Sequence, residues 1–238
     1  MDTLITCLRE LVIANRILAN QGVVDAFGHV SIRHPHNPER YLLSRSRSPE
    51  LITLDDLMEF TLDGTPVDLR GRTPYGERMI HGAIYEARPD IRSVVHNHAQ
   101  EVIPFSVTGV PLRPIGHTCA PIGLGIPVWD IHDRFDDTDM LVTTMEQGRD
   151  LAGTLGANRV ALMRGHGSVV AADSLRNAVN IAVYLQINAR EQILAMQIGD
   201  PKYLTPGEVE KATARQESPL ALDRAWEYWR VRAGCENL

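Results

Sequence analysis

The chain has 238 residues, 44% of them hydrophobic and 23% charged, which suits a soluble globular protein with one core and one domain over residues 1–238. A net charge of −6, no Lys/Arg run and only 5% aromatic residues exclude an electrostatic footprint for nucleic acid and a stacking platform for single strands. Three widely spaced cysteines, Cys7, Cys119 and Cys235, form neither a disulfide framework nor a C-x-x-C pair, so reduced thiols and a cytoplasmic setting are expected.

Leu4, Leu8, Leu11, Val12 and Leu18 recur at helical spacing, interrupted by Arg9, Glu10 and Arg16. This predicts an amphipathic helix ending near Gly22, rather than a signal peptide, and no apolar run has the length of a membrane span. Residues 28–33 and 41–43 read as strands around a turn with Pro35, Asn37 and Pro38. Thr53 with Asp55 and Asp56 signals a short capped helix, and Asp63-Gly64 a hairpin turn. A helix is expected over Tyr75 to Ala87, then a strand from Ser93 that runs into His96-Asn97-His98, then a helix from Ala99 to Val107. The segment from Gly109 to Pro127, rich in proline and glycine, reads as short strands and loops. Further on, the pattern predicts a helix over 146–155 with Gly156 as C-cap, and a strand over 159–163. Another strand covers 168–172, followed by a long helix capped by Ser174 and reaching Ile198. After a polar stretch from Thr205 to Ser218, one more helix is expected from Leu220 to Arg232. Helices at both ends with short strands between them predict an α/β layer fold around one central sheet.

All nine histidines fall between His29 and His166. Neutral imidazoles donate lone pairs to divalent transition metals, and three of them leave the open position that a catalytic site needs. His96 and His98 end an apolar strand two residues apart, so both rings can converge on one ion. His166 follows another apolar strand and is flanked by Gly165 and Gly167, which allow a sharp turn. Glu77 is the candidate carboxylate, either as a fourth ligand or as the proton-transfer group.

The motifs Gly28-His-Val-Ser31, Glu77-Arg-Met-Ile-His81, Val95-His-Asn-His98 and Gly165-His-Gly167, in this order and spacing, resemble the class II aldolase/adducin-like family. The resemblance runs from the first helix to the long helix after Ser174. It implies α/β/α layers around a mostly antiparallel sheet, and a fourfold homotetramer with active sites between subunits. It also implies a divalent metal ion, Zn²⁺ or Mn²⁺, on His96, His98 and His166, with Glu77 moving a proton or completing the metal shell.

The chain departs from the sugar-phosphate branch at three places. His29 replaces an Asn, Ser44-Arg-Ser-Arg47 replaces a Thr-Gly pair, and Tyr75-Gly76 replaces two small hydroxyl residues. These departures resemble the branch that decarboxylates hydroxylated aromatic or heteroaromatic acids, such as hydroxymethylpyridine-dicarboxylate and dihydroxyphthalate. In that reading Ser46 and Arg47 orient a carboxylate of a small-molecule acid, and Tyr75 packs on a flat substrate. Glu77 or His29 supplies the proton, and Tyr184 is a further substrate-binding candidate. His81, four residues after Glu77, is expected to orient that carboxylate across one helical face. His117 is a further candidate to line the pocket. Two other readings stay open at this stage: an aldolase or epimerase of a small hydroxy-carbonyl compound, and a non-catalytic adducin-like binding module.

Overall fold

The computed structural model describes residues 3–238. Among these, a seven-stranded sheet forms the centre: β1 (His29–Arg33), β2 (Arg40–Ser44), β3 (Leu57–Thr61), β4 (Ser93–Asn97), β5 (Val128–Trp129), β6 (Val160–Met163) and β7 (Gly167–Ala172). The strand order is β3-β2-β1-β4-β7-β6-β5. Every pairing is antiparallel except that of β5 with β6. The helices are α1 (Leu4–Asn20), α2 (Arg78–Ala87), α3 (Ile103–Thr108), α4 (His132–Phe135), α5 (Met145–Leu155), α6 (Leu175–Ile198), α7 (Pro206–Gln216) and α8 (Pro219–Arg232). Among the described residues, no helix is long and apolar enough to cross a membrane.

Both sheet faces are covered, so alternation along each strand sends neighbours into two different cores. Val30, Ile32, Val95, Leu162 and Val170 join α1, α6 and α8 in one apolar cluster. Leu43, Val94, Ala161, Met163 and Val169 join α2 and α5 in the other. His29, Ser31 and His96 follow this parity onto the α2 side. This is the α/β/α layering and mostly antiparallel sheet expected from the sequence.

Register then brings the chemistry to one end of the sheet. His29 pairs directly with His96 across β1 and β4, and Asn97 pairs with Ser168 across β4 and β7. Strands β6 and β7 form a hairpin closed by Met163 opposite Gly167, so His166 lies in its turn beside the end of β4. Gly165 turns with φ of +63°, and a Cβ on Gly167 would lie 2.0 Å from the Asn97 carbonyl oxygen. The pair of glycines therefore serves two needs, a left-handed turn and a close backbone approach.

Several elements differ from the expectation. Helix α2 begins at Arg78 rather than Tyr75, because Pro74 forms a bridge with Arg45 and the Tyr75 hydroxyl donates to the Arg47 carbonyl. Helix α3 begins at Ile103, with Pro104 in the first turn, where its missing N–H costs nothing. The Pro/Gly-rich segment contains a 3-10 helix over His117–Ile122 and no strand before β5. Its backbone is held instead by buried amides of α6: Asn188 bonds Ile115 N and Arg113 O, and Gln192 bonds Arg113 N and Pro111 O. The polar stretch after Thr205 is helix α7, opened by a Thr205–Glu208 capping box. It buries only Val209, so no apolar stripe announced it. The short β5 and α4 carry too few residues for a periodic signal.

Packing against α2 gives a test in which helix propensity and sterics disagree. Gly82 lies inside this helix, and replacing a helical glycine by alanine ordinarily stabilises by about 1 kcal/mol. Here the added Cβ would stand 2.1 Å from the Leu62 carbonyl oxygen. Gly82→Ala should therefore destabilise by roughly 1–3 kcal/mol in urea unfolding, and a gain in stability would contradict the packing described.

Candidate metal centre

Four side chains converge at the end of β4. Potential ligand atoms of Glu77, His96, His98 and His166 all lie within 4.8 Å of one another. His98 Nε2 is 3.0 Å from both His96 Nε2 and His166 Nε2. The Glu77 carboxylate is 3.5 Å from His96 Nε2 and 3.6 Å from His166 Nε2. Ligands bound tetrahedrally at zinc distances stand about 3.4 Å apart, so these separations and this N/O donor set fit a divalent ion.

The opposite edges of two rings fix which nitrogen faces inward. His96 Nδ1–H donates to the Ser168 carbonyl at 3.1 Å, and His166 Nδ1–H donates to the Met140 carbonyl at 3.0 Å. Both Nε2 lone pairs are thereby directed into the cluster, the usual second layer of support for a metal-binding histidine. Burial and neighbouring imidazoles push His98 down to about 4. Burial and the His96 ring bring His166 to about 4 as well. Both are neutral, ligand-competent bases at neutral pH.

Burial alone would raise the Glu77 carboxyl. His96, His166 and a hydrogen bond from Val142 N–H at 3.0 Å outweigh it and hold the group at about 2. Glu77 occupies the N-cap position of α2 rather than its first turn. Helical i, i+4 spacing therefore does not apply, and His81 does not orient this carboxylate as expected. His81 instead bonds His29 and Ser31, with Nε2 2.6 Å from His29 Nδ1 and Nδ1 2.6 Å from Ser31 Oγ.

Other predicted residues divide into two groups. His29 is buried beside the cluster, its ring centroid 5.1 Å from that of His96 and 4.5 Å from that of Tyr75. Burial and four nearby imidazoles hold its pKa well below the ordinary 6.5. The Tyr75 hydroxyl ties the loop containing Ser46 and Arg47 to this wall. Ser46 is exposed there, its N–H donating to the Thr73 carbonyl at 2.7 Å. Arg47 does not stand free: its guanidinium bonds Asp56 at 2.8 Å, and Arg45 bonds the other oxygen of the same carboxylate at 2.5 Å. Burial would raise Asp56, but Arg45, Thr53 and Arg47 hold it well below the usual carboxylate range. Tyr184 lies apart on α6, its ring 6.0 Å from Trp229 and packed on the apolar cluster of the opposite sheet face. His117 is exposed on the 3-10 helix, which packs on α6 and α7.

Comparison with known proteins agrees with this architecture. Residues 9–193 match the model for the class II aldolase and adducin N-terminal domain. The chain belongs to the class II aldolase and adducin family. It is 33% identical to the decarboxylase TropJ of Talaromyces stipitatus, over 93% of this chain and 92% of that protein. It is 30% identical to the 3,4-dihydroxyphthalate decarboxylase of Arthrobacter keyseri, over 73% and 72% of the two chains. Among solved structures, the L-fuculose 1-phosphate aldolase of Glaciozyma antarctica superposes with a TM-score of 0.78 at 22% identity, covering 98% of this chain and 92% of that one.

In this class II aldolase fold, the supports that sequence reasoning missed are backbone groups, Met140 O, Val142 N and Ser168 O, which leave no mark in residue identity. They predict a pH response for the metal-free protein. His98 and His166 fall from 6.5 in the unfolded chain to about 4 in the folded one, so the unfolded state binds protons first as pH drops. Stability of the metal-free protein should be full above pH 6.5 and decline toward pH 4, with excess divalent ion opposing the loss. Thermal melts that stay flat across that window would contradict the neutral, inward-facing imidazoles.

Proposed function

We propose that this protein is a metal-dependent decarboxylase of a hydroxylated aromatic or heteroaromatic mono- or dicarboxylic acid. The observation that carries the reading is the wall beside the three imidazoles. There an aromatic ring and an imidazole lie in contact, and the Tyr75 hydroxyl anchors a loop that carries two arginines. Such a wall suits a flat anion, with stacking on the ring and guanidinium contacts to a carboxylate. Similarity to two proteins named decarboxylases, one across almost the whole chain, supports the same reaction class.

A divalent ion, Zn²⁺ or Mn²⁺, held by His96, His98 and His166 would supply a Lewis acid that draws electron density from a substrate oxygen. The residues of the chain supply the rest. Glu77, ionised at neutral pH, accepts the proton of the substrate hydroxyl and returns it to the ring carbon that loses CO₂. The oxygen left deprotonated on the product is reprotonated by solvent, which closes the balance. His29 engages His81 through Nδ1, so Nε2 is the nitrogen it offers to substrate. Tyr75 with the Ser46–Arg47 loop orients the acid, and Tyr184 stands away from the imidazoles of its own chain. Fourfold assembly, with sites completed between subunits, belongs to the same reading.

The test is CO₂ release by metal-loaded protein from a panel of hydroxylated aromatic acids and vicinal dicarboxylates, with His96→Ala as control. Release that the control abolishes is the expected result. No release, together with aldehyde formation from hydroxy-carbonyl compounds, would overturn the decarboxylase reading in favour of an aldolase.

A further inference from the structure

Behind His29 runs a buried line of hydrogen bonds that the reaction outlined above does not use. His29 Nδ1 meets His81 Nε2 at 2.6 Å, and His81 Nδ1 meets Ser31 Oγ at 2.6 Å. Ser31 Oγ then meets the Tyr85 hydroxyl at 2.8 Å. All four residues are buried. Tyr41 stacks over the His81 ring at 6.3 Å with an interplanar angle of 16°, which holds its plane. At the far end, the Arg33 guanidinium lies 4.8 Å above the Tyr85 ring and is itself fixed by the carbonyls of Pro38, Tyr85, Arg88 and Ile91. The line thus ends in packed protein.

A chain of this kind can run in two directions, and hydrogen-bond satisfaction selects one. If Ser31 donated to Tyr85, the buried phenol hydrogen would lack an acceptor among the described residues, at a cost of about 1–3 kcal/mol. If Tyr85 donates to Ser31, every hydrogen behind His29 finds an acceptor, and the His29 Nε2–H is left for a ligand. A phenol is also the better donor and poorer acceptor of the two hydroxyls. Ser31 then gives its hydrogen to His81 Nδ1, which leaves the His81 proton on Nε2, where it is donated to His29 Nδ1. With Nδ1 accepting from His81, the single proton of a neutral His29 ring resides on Nε2. Burial raises the Tyr85 phenol well above its ordinary value, so the end of the chain stays protonated and the direction does not reverse.

We propose that His81, backed by Ser31 and Tyr85, is a positioning residue that holds His29 as the neutral Nε2–H tautomer, so that the site offers substrate a hydrogen-bond donor there rather than a base. The donor would face negative charge that develops on the acid, where a fixed N–H dipole is most effective. This role for His29 rests on the decarboxylase reading, whereas the tautomer itself does not.

The experiment uses full-length Zn²⁺-loaded protein labelled with ¹⁵N-histidine. Two-bond ¹H–¹⁵N correlation spectra at neutral pH read the tautomer, with the His29 ring assigned by its loss in His29→Gln. Wild-type His29 is expected as Nε2–H. His81→Gln, whose side-chain amide can still donate to His29 Nδ1, should keep that tautomer, and His81→Leu should lose it. With an acid that is turned over, His81→Leu should lower kcat by about 100-fold with little change in KM, and His81→Gln should recover most of it. Zinc content should be equal in all of them, because His81 touches no metal-ligand side chain. An Nδ1–H tautomer in the wild type would overturn the proposal even if the variants fail to fold. So would a His81→Gln protein no more active than His81→Leu at equal zinc content. Should no acid in the panel lose CO₂ while His29 is found as Nε2–H, the decarboxylase reading falls and the tautomer assignment stands.

Discussion

Three imidazole nitrogens that all act as acceptors have to be held together, His98 Nε2 standing 3.0 Å from each of the other two, and the rest of the structure is arranged around that requirement. Left to themselves, such groups rotate away or take up protons. Here each is fixed from a different direction. His96 is locked in a central strand, His98 follows at its end, and His166 sits in the turn of the neighbouring hairpin. Because β4 is flanked by β1 and β7, none of the three imidazoles depends on the free edge of the sheet.

A second level of support comes from the backbone. One segment serves two members of the cluster, since Met140 O receives the His166 proton and Val142 N–H reaches Glu77. Met140 adopts a left-handed conformation with φ of +67°, and Asp136 one with φ of +54°. Residues other than glycine occupy that region only when the surroundings hold them there. The strained segment therefore helps to orient His166 and Glu77. The Arg164 ion pair with Asp130, beside the hairpin turn, restrains the same corner from outside.

Much of this was legible in the amino-acid order. Apolar runs ending in His96-Asn97-His98 and leading to Gly165-His166-Gly167 point to both strands, because period-two alternation and glycine conformations are local properties, and the convergence of the three histidines follows from how those strands pair. What could not be read depends on partners distant in sequence. The pattern puts Glu77 in the first turn of a helix from Tyr75, but that helix begins after it, since the contacts of Pro74 and Tyr75 with the Arg45–Arg47 loop are tertiary. Helical spacing points His81 toward Glu77, yet it turns to His29 and Ser31 on the sheet. Tyr184, on the long helix, is half-buried beside Trp229 on the other face of the sheet, away from the imidazole cluster of this chain. Helix α7 carries its signal in capping alone, having almost no buried face.

In the decarboxylase proposed above, the clamp on Asp56 would bear on selectivity. Two arginines and a threonine already share that carboxylate, so Arg47 meets any incoming acid with an internal rival in place. Binding there becomes an exchange of one anion for another, and what counts is the difference between them rather than the strength of either. A ligand with a single carboxylate gains little from such an exchange. One whose second anionic or chelating group is anchored elsewhere in the site can displace the rival at lower cost, because its local concentration is already high. Under the proposed function, the internal carboxylate would act as a threshold that favours acids bearing two recognition groups at the right separation.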